Sequence, residues 1–235
     1  MIKITVLASG SKGNCYVIND GKSKLMVECG LSIKEIKKAL GFGLSDISFA
    51  LLSHCHGDHS KAAKDIVKAG IDMYTSQGTI DALGLSSHRV HAVKAREQFS
   101  AGTWTILPLE AQHDAPEPVG FLLQSRNTSS KLLFLTDSFY CRYRFKSLTH
   151  IMVECNYAAD ILDANVKAGT VPVAMKKRIM RSHFSLENVK EFLKANDLSR
   201  VRQIWLLHLS DGNSDAERFK REIQGLTGKE VYVCG

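Results

Sequence analysis

Short apolar runs of β character recur along the chain: IKITVLA, CYVI, KLMVE, ISFALLS, WTILPL, GFLLQ, KLLFLT, HIMVE, RQIWLL and VYVC. Between them lie segments whose apolar residues repeat at helical spacing: IKEIKKAL, KAAKDIVKAG, IDALGL, SLENVKEFLKA and DAERFKREIQ. Ser32 stands three residues before Glu35, the pattern of a capping box, and Ser60 and Ser185 each precede a periodic stretch. Gly70 and Gly225 are the expected helix stops. Strands and helices interleave, with strands concentrated in the first two thirds, and no repeat, low-complexity linker or compositional shift divides the chain. The pattern predicts one α/β domain over residues 1–235, with sheet packed on sheet and helices outside.

Composition narrows the class. At 44% hydrophobic and 23% charged, with four prolines in 235 residues, the chain has the balance of a globular protein and not of a disordered one. Its length suffices to bury a core without help from a disulfide or a metal. No apolar run approaches the roughly 20 residues a bilayer span requires. The opening MIKITVLASGSKGN carries too short an apolar run for a secretory signal, so a cytoplasmic protein is expected. Cys15, Cys29, Cys55, Cys141, Cys155 and Cys234 are scattered without a C-x-x-C pair, and are expected to be reduced, buried and not metal ligands. A net charge of +7 suits an anionic partner such as a phosphate ester or nucleic acid, and equally a lysine-rich solvated surface; charge alone does not decide between them.

One stretch is far more specific. After ISFALLS comes His54-Cys55-His56-Gly57-Asp58-His59, four metal-ligand side chains in six residues. Alternation at a strand end lets His54 and His56 point the same way, and Asp58 and His59 can turn to a second centre from the following loop. Imidazole and carboxylate suit zinc and other borderline divalent ions. The same rule, a donor just past an apolar strand, selects His113, Asp137 and His208, with Asp137 the natural carboxylate to bridge two ions. His88, His91 and His150 lack such a context and read as ordinary surface or core residues.

Other features are less specific. Ser9-Gly10-Ser11-Lys12-Gly13-Asn14 could offer backbone N–H groups to a phosphate, with Ser11 and Asn14 as substrate or supporting residues, or could be a tight strand connection. Tyr140-Cys141-Arg142-Tyr143-Arg144-Phe145 mixes aromatics with cations; it could stack a base, though a dimer contact or a plain surface loop is the stronger reading. Lys176, Lys177, Arg178 and Arg181 form a basic patch before His183 that reads as a solvated helix face or a phosphate attractor.

HCHGDH resembles the HxHxDH signature of the metallo-β-lactamase superfamily, and His113, Asp137 and His208 match its later metal motifs. The resemblance implies an αββα sandwich of two mixed β-sheets flanked by helices, with a two-metal centre at one edge. It assigns His54, His56 and His113 to one ion, Asp58, His59 and His208 to the other, and Asp137 to both, with Asp58 also among the catalytic groups. Glu28, in LMVECG, stands where the superfamily usually has an aspartate that braces the ligand loop.

LASGSKGN, HDAPEPVGF, SHFS and HLSDGN, the last contributing Asn213, resemble a group that includes the WalJ-type DNA exonucleases. The chain is similar as well to phage anti-Pycsar proteins that hydrolyse cyclic nucleotides, and more distantly to the ribonuclease Z family. HIMVECNY and RSHFS resemble the ribonuclease Z segments that supply a glutamate and a histidine, which implies that Glu154 orients His183 as a proton donor.

The implied activity is a phosphodiesterase in which two divalent ions, zinc first with manganese or iron as alternatives, generate a bridging hydroxide and polarise a phosphoryl oxygen. The compact length, with no inserted cap and no polymer-gripping arm, ranks cyclic mononucleotides narrowly ahead of DNA or RNA as substrate, and no membrane is involved. The resemblance also implies a homodimer. A glyoxalase II-type thioesterase is disfavoured by Glu154 and His183, and a non-catalytic metal-binding module by the retention of every ligand.

Overall fold

The computed structural model describes residues 2–234. The strands form two mixed sheets, and the chain divides into two compact units. The first unit comprises Met1–Glu110 and Ala115–Ser130, the second Ala111–Asp114 and Lys131–Gly235.

In the first unit the chain runs β1 (Lys3–Ala8), β2 (Cys15–Asn19), β3 (Lys24–Val27), α1 (Ile33–Ala39), β4 (Ile47–Leu51), α2 (Gly57–Ser60), α3 (Ala63–Lys68), β5 (Met73–Ser76), α4 (Gln77–Leu83) and β6 (Val90–Val93). Strands β1 to β3 pair antiparallel, and β3 to β6 continue the sheet in parallel. The capping box at α1 is present: the Ser32 hydroxyl accepts from Glu35 N–H, and Glu35 accepts from the Ser32 N–H. Met26, Ile36, Ala50, Leu52, Ile66 and Met73 form the centre of this unit's core. The antiparallel strands β7 (Phe99–Ala101), β8 (Trp104–Glu110) and β9 (Val119–Ser125) follow.

The second unit carries β10 (Lys131–Leu135), β11 (His150–Glu154), α5 (Ala159–Lys167), α6 (Val173–Ser182), α7 (Leu186–Lys194), β12 (Gln203–Leu207), α8 (Ala216–Thr227) and β13 (Glu230–Val233). Its four strands are parallel in the order β10-β11-β12-β13. Parallel strands are covered on both faces, which is why KLLFL and HIMVE read as nearly continuous apolar runs. Helix α7 buries Leu186, Val189, Phe192 and Leu193, and α8 buries Phe219 and Ile223, each along one helical stripe.

Several local expectations need correction. Ser60 does not cap α3, whose first turn follows Ala62; its hydroxyl instead meets the Cys55 and His56 carbonyls. Gly225 lies inside α8, and the left-handed stop is Gly228. Strands β5, β6 and β7 have no counterpart among the apolar runs of the sequence, because runs of three or four residues with polar members carry little alternation. Among the described residues no helix is long and apolar enough to cross a membrane. All six cysteines are free thiols, five buried and Cys55 partly so.

Candidate metal and catalytic groups

In the first unit the histidine-rich loop leaves β4 with His54 and His59 buried and His56 and Asp58 half-buried. The His54 ring lies 4.8 Å from that of His56 and 4.2 Å from that of His59, centroid to centroid. Glu28 sits just past β3 in the left-handed region, at φ 62°. Its Oε1 accepts the Ser53 N–H at 3.1 Å, and its Oε2 lies 3.2 Å from His59 Nδ1. Burial pushes the Glu28 carboxyl above the usual carboxylate range, against the opposing pull of His59 and Ser53. A glutamate here thus braces the loop through a metal-ligand candidate itself.

The Ser9–Asn14 connection buttresses that loop. Asn14 N–H donates to the Asp58 carbonyl at 2.7 Å, Asn14 Nδ2 lies 3.2 Å from His59 Nε2, and Asn14 O accepts from Gly30. Gly30 is required by close approach: a Cβ there would stand 1.7 Å from the Asp58 carbonyl oxygen. Ser11 is exposed at the tip of the connection.

In the second unit parallel pairing brings the ends of β10, β11 and β12 to one rim, where Asp137, Glu154 and His208 stand. His183 follows directly on α6. Asp137, Glu154, His183 and His208 each place one ligand atom within 4.8 Å of the others. Asp137 at φ 43° and His208 at φ 53° are held in the left-handed region, a strain that surrounding bonds must maintain. Asn156 supplies one such bond, Nδ2 to the His208 carbonyl at 2.8 Å.

Glu154 is wholly buried. Its Oε2 accepts from the Ser138 and Phe184 N–H groups at 3.0 and 3.2 Å. Its Oε1 lies 2.5 Å from His183 Nδ1 and 3.2 Å from His208 Nδ1. Burial opposes ionisation of both Glu154 and His183, but their mutual attraction outweighs it. Glu154 is therefore held below the usual carboxylate range and His183 above the usual imidazole range.

His113 carries the most telling geometry. Its Nδ1 lies 2.9 Å from the Ser182 carbonyl, which can only accept, so Nδ1 holds the proton and Nε2 the lone pair. That Nε2 lies 3.3 Å from Asp114 Oδ1 and 3.4 Å from Asp137 Oδ2. Burial lowers the affinity of the ring for a second proton. Electron-rich atoms face one another, an arrangement that a cation between them would stabilise. His59 shares part of it, with Nδ1 3.2 Å from Glu28 Oε2 and Nε2 3.4 Å from Asp58 Oδ2, but the Asn14 side-chain amide also stands 3.2 Å from that Nε2. The donor set fits a borderline divalent ion.

Asn213 lies five residues beyond His208. It bonds Ser210 and Asn165, and its carbonyl accepts from Ala158, fixing the turn after His208. Ser182 and Asn156 carried no signal in the sequence, since a backbone carbonyl can come from any residue and Asn156 becomes a partner only through a tertiary contact.

Residues 8–96 match the family model described as the metallo-beta-lactamase superfamily. The chain is 28% identical to exodeoxyribonuclease WalJ of Streptococcus pneumoniae serotype 2, over 92% of this chain and 84% of that protein. It is 28% identical to exodeoxyribonuclease YycJ of Bacillus anthracis, over 100% of this chain and 92% of that protein. Among solved structures it is similar to the metallo-beta-lactamase fold protein YhfI from Bacillus subtilis, with a TM-score of 0.75 at 17% identity, covering 100% of this chain and 97% of the other.

Proposed function

We propose that the chain, which has the metallo-β-lactamase fold and is similar to the WalJ nuclease, is a metal-dependent phosphodiesterase whose substrate is DNA. The observation that carries the reading is His113, braced at Nδ1 by the Ser182 carbonyl and turning Nε2 toward carboxylate oxygens at 3.3–3.4 Å. The proposed ligands are His54, His56 and His113 for one divalent ion and Asp58, His59 and His208 for the other, with Asp137 shared. Zinc is the first choice, manganese or iron the alternatives. When bound, such ions stabilise charge on a phosphoryl oxygen and lower the pKa of water.

The chain's own groups do the rest. The Ser182 carbonyl fixes the tautomer of His113, so that its Nε2 presents a lone pair, and Glu28 stands beside His59 Nδ1. Glu154 stays ionised and accepts the hydrogen bond from His183 Nδ1–H, which holds the ring in its protonated form with the Nε2 proton available to the departing alkoxide oxygen. The homodimer implied by the family resemblance belongs to the same proposal.

Relatives similar over nearly the whole chain are named exodeoxyribonucleases, which moves DNA ahead of the cyclic mononucleotides that compact length alone had favoured. The test is a substrate panel: metal-loaded protein with end-labelled single- and double-stranded DNA, RNA and cyclic mononucleotides. Progressive shortening of DNA from an end supports the proposal. Rapid opening of cyclic nucleotides with inert DNA overturns it in favour of the cyclic substrate.

A further inference from the structure

Helix α6 is thinly covered. Of its ten residues only Ser182 is buried, and its surface carries Lys177, Arg178 and Arg181. Residues three and four apart on a helix are neighbours, so Arg181 lies against both Arg178 and Lys177, and like charges so placed repel. Among the described residues neither Lys177 nor Arg181 has an ion-pair partner, whereas Lys176 is paired with Asp163. An anion lying along this face would relieve the repulsion.

Arg178 is aimed. Its side chain is 73% exposed, yet its Nε is held 3.3 Å from Asp114 Oδ2, and the other oxygen of Asp114 is the one that stands 3.3 Å from His113 Nε2. A guanidinium engaged through Nε keeps the hydrogens of both Nη groups for a second acceptor, and its planar fork matches two phosphate oxygens. The cation is thus paired one residue away from a proposed metal ligand.

A second exposed feature borders the same 111–114 segment. Phe139 is 37% and Tyr140 55% exposed, large aromatics that water would normally drive inward. Their backbone is fixed: Phe139 N–H donates to the Gln112 carbonyl at 3.2 Å, and Asn188 Nδ2 donates to the Phe139 carbonyl at 3.2 Å. The Ser138 hydroxyl holds the Tyr140 carbonyl at 2.8 Å. Exposed rings on a fixed backbone make a stacking platform, and the π-face of any base can settle on it.

We propose that Arg178 clamps a backbone phosphate and Tyr140 stacks a base, so that α6 and the Phe139–Tyr140 turn together seat a single-stranded DNA end beside the His113–Asp137 cluster. This rests on the DNA reading given above. Val173, Met175 and Met180 are also exposed on α6 and would suit a second copy of the chain. The cations on the same short helix would then be brought together, which favours the polyanion.

The experiment uses metal-loaded protein, a fluorescent single-stranded oligothymidylate with phosphorothioate linkages for binding, its natural counterpart for turnover, and bis-p-nitrophenyl phosphate as a diester too small to span the face. The variants are Arg178→Gln, Arg178→Lys and Tyr140→Ala. Each of Arg178→Gln and Tyr140→Ala should weaken oligonucleotide binding roughly 10-fold or more, in line with the loss of one phosphate or one stacking contact. The fall in kcat/KM on the oligonucleotide should exceed that on the small diester by a similar factor. Arg178→Gln should lower the slope of log Kd against log salt by about one, and Arg178→Lys should recover the slope but not the full affinity. Variants that bind the oligonucleotide like the parent protein overturn this assignment alone. A parent protein that turns over the small diester but neither binds nor cuts DNA overturns the DNA reading and this inference with it.

Discussion

Glu154 holds His183 from one carboxylate oxygen, at 2.5 Å from Nδ1, while its other oxygen is already committed to the Ser138 and Phe184 N–H groups. The carboxylate cannot turn away, so the imidazole is fixed in both tautomer and orientation. If His183 donates the proton, His183→Ala should keep the fold and the metals and lose about 10²–10⁴-fold in kcat. Glu154→Gln should fall in the same direction by less, and the double variant should be little worse than His183→Ala, because the two act as one unit. A nitrophenyl diester, whose leaving group needs little protonation, should partly rescue His183→Ala. Loss of a metal from that variant, or full activity on the natural diester, would contradict the assignment.

Two glycines flank the problem of building the histidine loop. A Cβ on Gly30 would sit 1.7 Å from the Asp58 carbonyl, whereas one on Gly57 would meet nothing within 4 Å. Gly30→Ala should displace the Asp58–His59 segment, lower the melting temperature and weaken metal uptake. Gly57→Ala, one residue from Asp58, should stay within about 0.5 kcal/mol of the parent. Paired thermal melts and metal titrations check both, and an unperturbed Gly30→Ala would show that the packing of the loop is not what positions the ligands.

His150 gives the second unit a pH dependence unconnected with the proposed chemistry. The Thr149 hydroxyl donates to the Lys131 carbonyl and accepts from the Lys131 N–H, so toward His150 Nδ1, at 2.8 Å, it acts as an acceptor. Nδ1 therefore carries the proton, and the buried Nε2 has no hydrogen-bond partner among the described residues. Burial, with Arg202 adding to it, lowers the imidazole pKa from 6.5 to about 4. The unfolded chain takes up a proton between those values and the folded chain does not, so stability is lost as pH falls from 6.5 toward 4. The full shift corresponds to about 3 kcal/mol. Denaturant titrations across that range should show the slope in the parent and a flatter profile in His150→Leu; equal slopes would contradict it.

The ligand hexapeptide was legible because imidazoles and carboxylates are rare enough that their order after ISFALLS carries information. The strand-end rule singled out His113, Asp137 and His208 as candidates for the same reason, and Glu154 with His183 came from the family segments. What could not be read were the partners that orient them. The carbonyl of Ser182 reaches His113 across 69 positions, and Asn156 reaches His208 across 52. Neither contact leaves a periodicity or a spacing. Ser60 and Gly225 misled because a hydroxyl beside a helix and a glycine within one are compatible with several roles, and tertiary packing chose among them. The short strands β5 to β7 form because neighbours pair with them, which a local pattern does not record.

The central claim is that the chain's imidazoles and carboxylates hold two divalent ions, and elemental analysis tests it most directly. Protein reconstituted with zinc or manganese and dialysed free of excess should retain two ions per chain. Asp137→Ala, which removes the proposed shared carboxylate, should retain fewer and lose phosphodiesterase activity. A fully active parent protein that retains one ion or none would contradict the account.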